Sequence, residues 1–156
     1  MLQSRLLSDH KKKQRKYYSG KKKRHTIKIQ LVVNKNSREI VAVEVRNGKV
    51  HDFRIFKESG VHIPAANLVI VDSGYQGSQK IHANTQLPKK KKKKQKLTKE
   101  DKRANKQLAS DRVMNEHVNG LLKRFKIFAE RYRNRRKRFG LRVNLLAGIY
   151  NFELGN

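Results

Sequence analysis

The chain has 156 residues, enough for one domain with a real core, although only 36% of it is hydrophobic and 33% is charged. Lys and Arg total 40 against 12 Asp and Glu, a formal net charge of +28 that points to a polyanionic partner, nucleic acid first. The basic runs lack the apolar face of an interfacial helix, no stretch is long and apolar enough to span a membrane, and the absence of cysteine excludes a disulfide scaffold and Cys-ligated zinc. The expectation is a cytoplasmic DNA- or RNA-associated protein without a membrane role.

Residues 1–24 form a basic N-terminal segment, with Lys11-Lys12-Lys13 and Lys21-Lys22-Lys23-Arg24 flanking Tyr17-Tyr18-Ser19-Gly20. Cations beside aromatics can grip phosphates and stack on bases, but a charge run is more often simply solvated. From His25 the texture changes. Thr26 to Val33 alternates and then turns apolar, and Glu39 to Val45 follows after Asn34-Lys35-Asn36-Ser37, which predicts an antiparallel hairpin. Asp52 is placed to cap a short helix through Phe53, Ile55 and Phe56. Val69-Ile70-Val71 then reads as a buried strand that delivers Asp72 into a turn marked by Ser73-Gly74 and Gly77.

Gln76 to Asn84 fits a short helix. Lys89 to Lys94 is an unbroken lysine run, so residues 88–97 are expected to be an exposed, disordered loop. Thr98 is a fair N-cap for a helix to about Ala109, and Ser110 for a second one, in which Met114, Val118, Leu121, Leu122, Phe125 and Phe128 form an apolar stripe. Glu116 lies off that stripe, on a face with Arg112, Gly120 and Lys123. The densest arginine cluster spans Arg131, Arg133, Arg135 and Arg136. Leu141, Leu145, Leu146, Ile149, Tyr150 and Phe152 suggest a closing amphipathic helix. The order of elements gives an α/β fold with a small mixed sheet and helices concentrated late.

Two carboxylates stand out, Asp72 at a strand end and Glu116 on a helix face that also carries cations. Acids from separate elements can converge to hold divalent ions for phosphoryl transfer, although turn chemistry explains an Asp before Ser-Gly just as well. Other chemistries fare worse, since the chain has no Walker-type loop, no His-Glu-x-x-His and no Gly-x-Ser-x-Gly elbow. The histidines have no zinc-like spacing.

Tyr17 to Lys28, Gly48-Lys49-Val50-His51-Asp52, Val71 to Gly77, Asn105 to Arg112, Glu116, Lys123-Arg124-Phe125 and Arg131 to Arg136 together resemble the C-terminal catalytic part of bacterial insertion-sequence transposases of the DDE superfamily. The resemblance covers nearly everything after about residue 11. It implies an RNase H-like fold over residues 25–156 and a metal-dependent reaction in which water, and then a DNA 3′-hydroxyl, attacks a phosphodiester. Asp72 matches the second acid of the family and Glu116 the third, holding Mg2+ or Mn2+. Lys21, Lys22, Lys23, Arg24, Lys123, Arg124, Arg131, Arg133, Arg135 and Arg136 would contact the DNA of the transposon ends.

The first acid of the family falls near Met1, in an Asp-x-Thr-Glu context that Met1 to Ser8 does not supply, and Asp9 is not its equivalent. The expectation is therefore a truncated or split-frame catalytic domain, lacking the first, central strand and impaired in activity. Either Met1 to Leu7 forms a substitute strand, or an upstream-frame polypeptide completes the site; a homo-oligomer is a further option. Two alternatives stay open: a non-catalytic basic nucleic-acid-binding protein, and another RNase H-like metal-dependent nuclease.

Overall fold

The computed structural model describes residues 2–6, 15, 17–91, 96–132 and 136–156, of which 2–6 and 136 are described by their backbone alone. The expected hairpin is its centre: β3 (Arg24–Val33) and β4 (Ile40–Asn47) run antiparallel from Ile27↔Asn47 to Val33↔Ile40, with an irregularity between Val32 and Val33. On the other side of β3 lies β1 (Leu2–Leu6), antiparallel in the register Leu2↔Gln30 to Leu6↔Thr26. A strand thus forms within Met1 to Leu7, paired to the hairpin, while the strand that precedes Asp72 lies in a different sheet. The two-residue β2 (Tyr18–Ser19) pairs with His25 and Arg24. A separate pair, β5 (Val69–Ile70) and β6 (Thr85–Gln86), runs parallel. The strands thus form two sheets, and the architecture is mixed α/β as expected.

Alternation along β3 sets the layers. Ile27, Ile29 and Leu31 face one way, into a core completed by Ile40, Val118, Leu122, Phe128, Phe139, Val143, Ala147 and Tyr150. Apart from Ile40 of β4, those partners come from α2 (Lys99–Leu122), α3 (Lys126–Ala129) and α4 (Phe139–Leu154). Thr26, Lys28 and Gln30 face the opposite layer, which contains α1 (Asp52–Glu58).

Several helical expectations change. The segments expected to start at Thr98 and Ser110 are one helix, α2, opened by a reciprocal Thr98–Asp101 capping box. Ser110 interrupts nothing: the half-buried face through Asp101, Asn105, Leu108 and Arg112 keeps its helical spacing across it. The cap of α1 is His51, whose ring accepts from the Phe53 amide at 3.4 Å, because Asp52 is drawn to Lys28 instead. Gln76 to Asn84 holds only a 3-10 turn, Ser78–Lys80. In α4 the buried stripe is Phe139, Val143, Ala147 and Tyr150, whereas Leu141, Leu145 and Phe152 are exposed. The lysine run is tied at its first described residue: Lys89 exchanges two hydrogen bonds with the Asn105 side chain and pairs with Asp101 at 2.8 Å. Lys92 to Lys94 of that run, and Gln95 after it, lie outside the described residues. No helix among the described residues is long and apolar enough to cross a membrane.

Candidate active site

Asp72 follows β5 with an extended backbone, and its carboxylate accepts from the Ser73 amide at 2.6 Å, opening the 3-10 turn Ser73–Tyr75. That is the turn role the sequence allowed. What the sequence did not show is how firmly the turn is held. Tyr75 is buried, meets Phe56 edge-on at 6.3 Å, and donates its hydroxyl to Gln30 Oε1 on β3 at 3.3 Å. Burial, and then the charges of Asp52 and Asp72, push its phenol above the usual range, so it remains a hydrogen-bond donor.

Two glycines let the turn close on α1. A Cβ on Gly74 would stand 3.1 Å from Asp52 Oδ2, and one on Gly77, whose φ is +95°, would meet the Phe53 ring at 3.3 Å. Asp52 is itself fixed by Lys28 Nζ at 2.6 Å, and the same ammonium reaches Val50 O at 2.5 Å. Lys28, Gln30, Asp52 and Tyr75 therefore position the Asp72 turn. The one sequence signal for them was the polar phase of β3, which puts Lys28 and Gln30 on the face away from the helical core.

From the other side comes α2. Arg112 Nη1 lies 3.4 Å from Asp72 Oδ1, a contact the sequence reading missed. Glu116 sits one turn further along the same helix and is exposed. A groove of about 520 Å3 runs beside this contact, walled by Gln30 and Val33 of β3, Leu68 to Asp72, Arg112 and Asn115. Glu116 is not in its wall. No three His, Cys, Asp or Glu come together among the described residues. A hard divalent ion takes about six oxygen ligands, so Asp72, shared with Ser73 and Arg112, and an exposed Glu116 do not by themselves make such a site.

The basic residues expected to meet DNA are spread over several elements. Lys21, Lys22, Lys23 and Arg24 are exposed in the turn from β2 to β3, and Arg24 Nε donates to Lys22 O at 3.2 Å. Partial burial, followed by repulsion from Arg24, Lys21 and Lys28, lowers the Lys22 ammonium. Lys123 caps α2 and is exposed. Arg124 is committed elsewhere, ion-paired with Glu153 and 4.7 Å over the Phe125 ring. Arg131 is exposed, while Arg133 and Arg135, the Arg136 side chain and Asp9 lie outside the described residues.

Residues 7–151 match the family model described as DDE superfamily endonuclease. The chain is 50% identical over 144 residues to the "Probable transposase for insertion sequence element IS702" of Microchaete diplosiphon, an alignment that takes in 92% of this chain and 52% of that protein. The chain thus spans about half the length of the curated relative it matches. No solved structure matches it. With the family match extending over both the Asp72 turn and the Arg112–Glu116 face of α2, the chain belongs to the DDE superfamily endonucleases of insertion-sequence transposases.

Proposed function

We propose that the chain serves DNA transposition, contributing Asp72 and Glu116 and a cationic DNA surface to a DDE transposase that cleaves and transfers strands at transposon ends. The reading rests on one relationship above all: the Asp72 turn is fixed from three sides and docked on the turn of α2 that precedes Glu116. It takes the sheet and helices as an RNase H-like domain. Such a polycation would act on chromosomal DNA, in the bacterial cytoplasm at the nucleoid.

Strand transfer in this reading depends on Mg2+ or Mn2+. The described residues do not furnish enough donors for such an ion, so no chemical step is assigned to the chain alone. Its own residues hold Asp72 in place, keep α2 against it, and bring phosphates in through the turn at Lys21 to Arg24. The missing acid is expected from an upstream polypeptide. The groove between β3 and β5 adjoins Asp72, and an added extended segment there would meet backbone from both sheets. Lys21 to Arg24, Lys123 and Arg131 are the described cations assigned to DNA.

Equilibrium binding of the purified chain to a transposon-end duplex, titrated with salt, tests the reading. Binding that favours the end sequence over an unrelated duplex and falls steeply with salt is expected. Equal affinity for all duplexes would favour a non-catalytic nucleic-acid-binding protein, and no binding would dismiss both readings. Metal-dependent cleavage without joining, abolished by Asp72→Asn, would favour another nuclease.

A further inference from the structure

We infer that the cavity beside the Tyr18–Ser19 strand is a binding site for an unpaired nucleotide of a single DNA strand. The inference rests on the DNA-binding reading above and extends its cationic surface at Lys21 to Arg24 into a neighbouring cavity. The cavity has a volume of about 510 Å3 and is lined by Arg15, Tyr18, Gly20, His25 and Lys49. That volume lies within the ~300–1,000 Å3 of sites that take small ligands. None of these five residues lines the groove at Asp72.

The lining has the chemistry of a nucleotide. Arg15 and Lys49 are basic, His25 adds an imidazole, and no carboxylate is among the described lining residues. Tyr18 is paired with His25 across β2 and β3, and their rings meet edge to face at 5.6 Å and 69°. This holds the Tyr18 ring in place while 42% of the residue stays exposed. Gly20 adds no side chain, and nothing lies within 4 Å of where its Cβ would be. The backbone next to Lys49 is anchored, because Gly48 N donates to Thr26 O at 2.8 Å and a Cβ on Gly48 would fall 2.0 Å from Thr26 Oγ1.

A duplex can touch such cations with its phosphates, but it offers only base edges, in its grooves. An aromatic ring set in a concave cationic site finds use on a base whose face is free, as in single strands or splayed ends. The exposed run from Lys21 to Arg24 continues the positive surface along which the flanking phosphates would lie.

Fluorescence anisotropy with a labelled oligothymidylate and a blunt hairpin duplex of equal length tests this on the full chain. The expected result is that Tyr18→Ala weakens single-strand binding about tenfold or more, that Tyr18→Phe binds as the parent does, and that duplex affinity changes less than about twofold. Lys49→Ala should reduce the salt slope for the single strand by about 0.7. Should Tyr18→Ala leave single-strand binding unchanged, or weaken both probes alike, the inference is overturned while the DNA-binding reading stands. If the parent chain binds neither probe, both fall together.

Discussion

Arg112 of α2 and Asp72 of the turn after β5 stand 3.4 Å apart, linking the short parallel sheet to the longest helix of the molecule. The pair is half exposed on the Asp72 side, 47% against 21% for Arg112, so its role is placement more than cohesion. Arg112→Ala is expected to cost less than ~1 kcal/mol in urea unfolding. A loss of several kcal/mol would show that the pair holds the fold together.

Asn151 closes the edge of β4 onto α4. Its amide accepts from Ile40 N and donates to Ile40 O, both at 2.9 Å. Asn151→Ala leaves two partly buried backbone groups unpaired and is expected to destabilise the chain by about 1–3 kcal/mol. Asn151→Asp keeps the acceptor and loses the donor, so its melting midpoint should fall between those of the parent and the alanine variant.

The two phenylalanines of α4 separate its two faces. Phe139 is 2% exposed and packs edge-on against Tyr132 at 4.6 Å, while Phe152 is 73% exposed. Phe139→Ala is expected to cost ~3–5 kcal/mol, and Phe152→Ala to stay within ~0.5 kcal/mol. Equal costs in chemical denaturation would mean that the buried stripe has been assigned to the wrong phase of the helix.

Tyr75 gives a pH signature. Its phenol is raised in the folded state by burial and by Asp52 and Asp72, so the unfolded chain releases that proton first. The Tyr75 contribution is fully present below the ordinary phenol value of 10.0 and is lost as pH rises beyond it. In an ultraviolet titration of the tyrosines, a late-ionising step should disappear in Tyr75→Phe. An unchanged titration would place Tyr75 in water.

The hairpin was legible in the sequence because alternation is local, and Ile27, Ile29 and Leu31 declare one face whatever packs on it. The phase of α4 was not. Apolar residues surround that helix nearly completely, so Leu141 and Leu145 fit a core stripe as well as Val143 and Ala147 do, and only the position of β3 and β4 selects between them. Asp52 was misread as a cap because its partner, Lys28, is 24 residues away in sequence. For the same reason Asp72 could be singled out from its own neighbours, whereas Arg112, Gln30 and Tyr75 became its supports only once the chain had folded.

The most direct measurement is a strand-transfer assay with the purified chain, a labelled transposon-end duplex and a target plasmid, with and without Mg2+. The expected result is a protein–DNA complex and no joined product, with joining appearing only when a polypeptide carrying an Asp-x-Thr-Glu segment is added. Mg2+-dependent joining by the chain alone, abolished by Asp72→Asn, would contradict it.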